Sequence, residues 1–195
     1  MTPAADSNAR QRRFLNRRRE LLNTALRLAE DEGWEAVTTR RLAEAIDYSQ
    51  PVIYQHFENR DDLIRTLVIE GFIDLTNRIE SVARSSSATP LQDLCRVYID
   101  FGTSQPRLYE AMFTLPTAVP FADDDTPAEM RKAFDALAAI IASEAPEADA
   151  QGTAELYWAC CHGLVTLLNA RRVPHERIEH HVRRVAEIVR LDETV

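Results

Sequence analysis

Along the first third of the chain, apolar residues recur at helical rather than alternating spacing. From Leu15 to Gly33 the positions Leu21 or Leu22, Ala25, Leu28 and Ala29 fall three and four apart, predicting a helix that Gly33 closes. Thr38 or Thr39 can then cap a second helix, in which Leu42, Ala43 and Ile46 turn inward before it stops near Asp47. A chain that must swing by roughly 90–120° within 3–4 residues calls for a backbone position of positive φ, easiest for Gly and next for Asn or Asp. Asp47 fills that place. Ser49 offers a capping oxygen to a third helix, and Pro51 falls in its first turn, where a missing N–H costs nothing. On that helix Val52, Ile53 and Phe57 share the side that packs, leaving Gln50, Tyr54, Gln55 and His56 outward.

After Phe57, Asn59 can cap a fourth helix with Asp61 and Asp62 in its first turn, and Leu63, Ile64, Leu67, Val68 and Phe72 continue an apolar face. This helix is expected to join two domains and to carry any signal between them. Turn-rich breaks follow at Ser85-Ser86-Ser87 to Pro90, at Pro106, over Leu115 to Pro127, over Glu144 to Gly152, and at Pro174. Between them, helices are predicted over Leu91 to Thr103, Arg107 to Thr114, Ala128 to Ala142, Thr153 to Ala170 and His175 to Leu191. With no internal repeat and no strand–helix alternation, the fold class is all-α with about nine helices. The expected organisation is a basic N-terminal arm over 1–14, a helix-turn-helix domain over 15–60, and a helical ligand-binding and dimerisation domain over 61–195.

Composition narrows this picture. With 195 residues, 45% of them apolar, the chain can bury a sizeable core. No run approaches the ~18 consecutive apolar residues of a membrane span, and the Arg-rich start lacks the apolar stretch of a signal peptide, so a cytoplasmic location without membrane association is expected. Three cysteines, two of them adjacent at Cys160 and Cys161, fit reduced thiols better than a disulfide framework or a zinc site. No metal and no cofactor is expected.

A net charge of −8 weighs against a nucleic-acid partner until its distribution is considered. Residues 1–60 hold ten Arg against nine acids, whereas residues 61–195 hold thirteen Arg or Lys against twenty-two acids, so the acidity lies in the second domain. Arg10, Arg12, Arg13, Arg17, Arg18 and Arg19 could follow a phosphate backbone or enter a minor groove, with a solvated charged tail as the competing reading. The outward Gln side chains carry the paired donor and acceptor that fit an adenine edge, and Tyr, His, Thr and Arg can hold phosphates. A plain αα-corner would share the spacing.

The segment Val37 to Arg60 resembles the helix-turn-helix head of the tetracycline-repressor (TetR) family. The likeness covers about Leu15 to Phe72 and rests on Thr38-Thr39-Arg40, Leu42-Ala43, Ser49-Gln50-Pro51, Tyr54-Gln55-His56-Phe57 and Asn59-Arg60. The resemblance implies phosphate contacts from Thr39, Tyr54, His56 and Arg60, and base or groove contacts from Arg40, Gln50, Pro51, Val52 and Gln55. Double-stranded operator DNA is the implied partner. Asp47 stands where the family usually has Gly, and Tyr48 where it usually has a small aliphatic residue.

In the second domain, the segment Tyr98 to Phe113 and the run Tyr157-Trp158-Ala159-Cys160-Cys161-His162-Gly163 resemble a TetR C-terminal type marked by Trp, His and Gly. Neither tetracycline nor its magnesium carries over, because the tetracycline-binding domain itself is not matched. Tyr98, Phe101, Tyr109, Met112, Phe113, Phe134, Trp158, Cys161 and His162 supply enough aromatic, soft and polar groups to line a cavity for a small-molecule inducer. Core packing is the competing reading for each, and His162 is the strongest polar candidate.

Two apolar stripes on the last two helices, Ile178, Val182, Val185 and Val189 flanked by His181 and Ile188, and Tyr157, Cys161, Leu164 and Leu168, predict a homodimer through a four-helix bundle. Two heads roughly 34–36 Å apart would read half-sites one helical turn apart. A monomer covering the second stripe with a loop is the alternative. Catalysis by Cys160, Cys161 and His162 is disfavoured because consecutive helical residues point about 100° apart, and no Gly-rich loop, paired carboxylate or metal constellation accompanies them. The resulting reading is a ligand-responsive transcriptional regulator, a repressor released from a palindromic operator by an inducer. The rival is a helical scaffold or protein-interaction module whose helix-turn-helix does not read DNA.

Overall fold

In the computed structural model, which describes residues 3–115, 126–146 and 149–191, the chain divides between Val68 and Ile69 into two compact units. The described residues form nine α-helices and no strand.

The first unit opens with α1 (Pro3–Glu32), followed by a 3-10 turn at Trp34–Ala36, α2 (Thr39–Ala45), α3 (Gln50–Tyr54) and the first turns of α4 (Arg60–Ala83). Helix α1 begins at Pro3, where the sequence pattern places a helix start at Leu15. Proline is favoured at a first helical position, and the Ala and Arg residues that follow have high helix propensity, so the basic residues from Arg10 onward sit on a helix. Gly33 ends α1 at φ 86°, a conformation that few side chains tolerate. Leu21, Leu22, Ala25 and Ala29 of α1 share a core with Trp34, Val37, Leu42, Ile53, Phe57 and Leu63.

Of the two threonines expected to cap α2, Thr38 does so, its hydroxyl accepting from the Arg41 N–H at 3.2 Å. The helix ends in a left-handed residue as expected, Asp47 at φ 54°. Two reverse bonds close that end, from Tyr48 N–H to the Ala43 carbonyl at 2.9 Å and from Asp47 N–H to that of Glu44 at 3.4 Å. Ser49 takes the capping position of α3 but makes no side-chain bond. Pro51 removes one amide the hydroxyl could have reached, and Val52 N–H already goes to the Ser49 carbonyl at 3.0 Å. Asn59 caps α4, its Oδ1 accepting from Asp62 N–H at 2.8 Å, while Asp62 accepts from Glu58 N–H at 3.0 Å.

The second unit holds the rest of α4 with α5 (Pro90–Ser104), α6 (Pro106–Phe113), α7 (Ala128–Glu144), α8 (Ala150–Asn169) and α9 (Ile178–Leu191), the last preceded by a 3-10 turn at His175–Arg177. The expected loop over Leu115 to Pro127 lies largely outside the described residues. Helix α5 is central: it packs on α6, α7, α8 and α9, and Leu94, Cys95, Tyr98 and Phe101 are almost wholly buried. It approaches α8 most closely at Gly102, where an added Cβ would sit 2.4 Å from Val165 Cγ1, and Asn169 Nδ2 donates to the Gly102 carbonyl at 3.0 Å.

The apolar stripes expected to pair two protomers need correction. Tyr157, Cys161 and Leu168 on α8, and Val182, Val185 and Val189 on α9, are buried inside the protomer, because α8 and α9 turn these faces toward α5 and each other. What α8 leaves outward is a different row, with Leu156 61% and Leu167 43% exposed and Cys160, Gly163 and Leu164 half-buried between them.

Candidate nucleic-acid interface and ligand cavity

At the head of α3 the exposed side chains are those the sequence singled out. Gln50, Pro51, Tyr54 and Gln55 are exposed, Val52 is half-buried beside them, and Ile53 and Phe57 anchor the helix from beneath. On α2, Thr39 is half-buried and Arg40 extends into solvent, held at 2.9 Å by Glu44 one turn on. These seven residues form a short polar ridge with a Pro-stiffened leading edge, suited to meeting base edges and phosphates.

His56 and Arg60 sit differently from their neighbours. The His56 ring is buried against Phe14, with centroids 4.2 Å apart. Burial, and then the nearby Arg17 and Arg18, push its pKa down. Arg60 Nε donates to the Val37 carbonyl and Nη2 to the Trp34 carbonyl, both at 2.8 Å, so its guanidinium braces the segment between α1 and α2. Two further arginines prove structural although the sequence grouped them with a basic arm. Arg18 donates to the His56 carbonyl and to Thr66 Oγ1 at 3.1 Å, and lies over the Phe57 ring at 4.3 Å. Arg17 lies over the Tyr48 ring at 4.7 Å, which gives the atypical turn residue a partner. The signal for Arg18 was its register, three and four residues before Leu21 and Leu22 on the inward face of α1. Arg10, Arg12, Arg13 and Arg19 remain exposed.

The second unit contains a cavity of about 640 Å³. Five of the nine expected residues line it: Tyr98, Phe113, Phe134, Trp158 and His162. The other four pack around it. Phe101 is fully buried under the Arg78 guanidinium, Met112 fills the space left by Gly71, Tyr109 stands behind His162, and the Cys161 Sγ lies 3.7 Å from that of Cys95. Helical phase explains Cys161, since Trp158 and His162 face the cavity four residues apart and the residue before His162 is rotated by about 100°.

Several lining residues escaped the sequence reading. Phe72, Leu75 and Ile79 come from α4, Met130, Ala133 and Leu137 from α7, and Arg131, Asp135, Gln151 and Glu155 add the polar part of the wall. Of the α4 residues, Phe72 was read as the end of an apolar face, and Leu75 and Ile79 extend that face into the cavity wall.

A chain of polar contacts runs behind the aromatic wall. Trp158 Nε1 donates to the Tyr98 hydroxyl at 2.8 Å, the Tyr98 and Tyr109 hydroxyls lie 3.1 Å apart, and Tyr109 bonds His162 Nδ1 at 2.7 Å. Burial raises the pKa of both tyrosines well above the ordinary range and lowers that of His162. The thiols of Cys160 and Cys161 are pushed up by burial as well, the reverse of what an activated nucleophile needs. Among the described residues no group of three or more His, Cys, Asp or Glu is placed to hold a metal ion. No described helix is long and apolar enough to cross a membrane.

Comparison with known proteins gives concordant results for both halves of the chain. Residues 21–67 match the family model described as bacterial regulatory proteins, tetR family, and residues 91–189 match that described as tetracyclin repressor-like, C-terminal domain. The tetracycline repressor protein class C of Escherichia coli is 29% identical over 157 residues, 71% of each chain. An uncharacterised HTH-type transcriptional regulator of Mycobacterium tuberculosis is 26% identical over 77% of this chain and 69% of its own. Among solved structures, a protein of unknown function from Rhodococcus sp. RHA1 superposes with a TM-score of 0.75 at 23% identity, covering 89% of this chain and 93% of the other. The transcriptional regulator FadR from Bacillus subtilis, solved with stearoyl-CoA, gives 0.69 at 13% identity over 87% and 96%.

Proposed function

The chain belongs to the tetR family of bacterial regulatory proteins, and from that premise we propose that it works as a dimeric repressor, released from a palindromic operator when a small molecule fills the cavity of its second unit. It is a ligand-responsive, DNA-binding transcriptional regulator; the dimer, the operator symmetry and the residue roles are the proposal's own. Thr39, Arg40, Gln50, Pro51, Val52, Tyr54 and Gln55 make the DNA contacts, while Arg60 and His56 hold the shape of the head that presents them.

The observation that carries this reading is the continuity of α4. One unbroken helix begins at Arg60, which braces the DNA-reading unit, and passes through Phe72, Leu75 and Ile79, which line the cavity. A ligand that displaces those three side chains acts on the helix whose first turn carries Arg60. A difference of roughly 1–3 kcal/mol in ligand affinity between two arrangements changes operator affinity about 5–150-fold.

Pairing of protomers is assigned to the outward row of α8, Leu156, Cys160, Gly163, Leu164 and Leu167, together with the half-buried Ile178, His181 and Ile188 of α9. Exposed leucines at helical spacing around a glycine let two helices approach closely.

Sequence selection from a random duplex library with the purified full chain, followed by binding at several salt concentrations, tests the whole reading. Enrichment of a palindrome, with affinity falling steeply as salt rises, is the expected result. Salt-insensitive binding with no enriched sequence would overturn it in favour of a helical scaffold.

A further inference from the structure

The hydrogen-bond chain behind the cavity has a direction. An indole N–H can only donate, so the Tyr98 oxygen accepts from Trp158. Tyr98 is 1% exposed, and its own proton is satisfied by donating to the Tyr109 oxygen at 3.1 Å. Tyr109 in turn donates to His162 Nδ1 at 2.7 Å. In this arrangement every hydroxyl both accepts and donates; the reverse order would leave the Tyr98 proton without an acceptor in the chain. Nδ1 of His162 is therefore an acceptor, and the ring proton resides on Nε2.

That nitrogen makes no hydrogen bond to another described residue, and its ring lies on the cavity wall beside Phe113, Phe134 and Trp158. Burial disfavours the charged form of the ring. His162 therefore offers the cavity one N–H donor, fixed in place by two tyrosines and a tryptophan. The charged groups of the wall are Arg131, Asp135 and Glu155, a net balance of −1, with no cluster of cations among the described lining residues to receive a carboxylate or phosphate.

Resting on the reading of this cavity as the effector site, we propose that the effector is an uncharged, mostly apolar molecule bearing a carbonyl-type oxygen that accepts the Nε2–H of His162, its hydrocarbon body packed among Phe113, Phe134 and Trp158. A volume of about 640 Å³ accommodates a small organic molecule of this kind. The apolar wall supplies most of the affinity and the single fixed donor sets orientation, because an isostere lacking the acceptor leaves that N–H unpaired.

Two measurements on the full chain test this. The first is nitrogen-detected NMR of histidine-labelled protein near neutral pH, with the His162 resonances identified by their loss in His162→Gln. A neutral ring protonated on Nε2 is expected; a ring protonated on Nδ1, or on both nitrogens, would overturn the assignment. The second compares 2-acetylnaphthalene, 2-ethylnaphthalene and 2-naphthoate as probes by calorimetry. The ketone is expected to bind about tenfold more tightly than the ethyl compound, the carboxylate no better than the ethyl compound, and the ketone's advantage to vanish in His162→Phe. In Tyr109→Phe, which removes only the relaying hydroxyl, that advantage should shrink. Equal affinity for ketone and ethyl compound would sink the acceptor proposal while leaving the cavity reading intact. Failure of all three to bind would remove the cavity reading and the proposal together.

Discussion

Arg60 and Trp34 are joined by a 2.8 Å hydrogen bond from guanidinium to main-chain carbonyl across 26 residues, and a second 2.8 Å bond from the same side chain reaches Val37. The first turn of α4 is thereby tied to the connection that precedes α2. Bonds from a charged donor are worth about 1.5–3 kcal/mol each, less where solvent reaches them. Arg60→Gln should lower stability by about 1–3 kcal/mol in denaturant unfolding. Because the guanidinium is committed to these carbonyls, the slope of log affinity against log salt should stay as in the parent, whereas Arg40→Gln should reduce it by about one. A reduced slope for Arg60→Gln would return Arg60 to the phosphate contacts.

Tyr54 has 54% of its surface exposed, while its neighbour Ile53 is 1% exposed. Tyr54→Ala should leave the unfolding midpoint within about 0.5 kcal/mol of the parent and abolish operator binding. Gln50→Ala should cost about 1–3 kcal/mol of discrimination at one base position. Unaltered binding by both variants, measured on the selected operator, would refute the docking proposed for α3.

Asp47 holds φ at 54° to close α2. Left-handed backbone costs most residues about 1–2 kcal/mol, and glycine returns part of that advantage through its freedom in the unfolded chain. Asp47→Gly should therefore stabilise the protein by roughly 0.5–1 kcal/mol, and Asp47→Val should destabilise it by more. Thermal unfolding of the pair at one pH decides the matter; a loss of stability in Asp47→Gly would mean that the aspartate side chain contributes more than its backbone costs.

Acid should weaken the fold early. His56, His162 and His181 all have folded-state pKa values below the ordinary 6.5, chiefly through burial. The unfolded chain then binds protons that the folded chain refuses, so stability is full above about pH 6.5 and falls as pH drops from there through the folded values. Replacing His162 with Gln should flatten the pH dependence of the unfolding free energy between pH 7 and 5. An unchanged slope would show that the His162 ring accepts its second proton as readily in the fold as outside it.

Much of the head was legible in the sequence because its signals are local. Thr38, Asp47, Asn59 and the Pro51 turn each act within four residues, and the structure places a helix boundary at each. The longer-range roles were less visible. A one-dimensional pattern marks Arg18 and Arg60 as basic without saying that a carbonyl 38 or 26 residues away will accept their hydrogen bonds. The same limit applies to the cavity. Trp158 and His162 announced themselves by chemistry, but Leu75 and Ile79 are ordinary apolar residues whose place on a wall depends on how α4, α7 and α8 meet. The stripes of α8 and α9 misled for a related reason: an apolar stripe on a helix does not reveal whether its own protomer or a partner covers it.

Helix α8 therefore serves two faces at once, with Trp158 and His162 turned to the cavity and Leu156, Cys160 and Leu167 turned outward. Its contact with α5 at Gly102 leaves no room for even one added methyl group without displacing Val165. Under the proposed pairing, effector preference and choice of partner protomer become epistatic traits. A substitution that reshapes the cavity by shifting α8 also re-aims the outward leucines, and duplicated copies of such a gene would drift apart in both properties together.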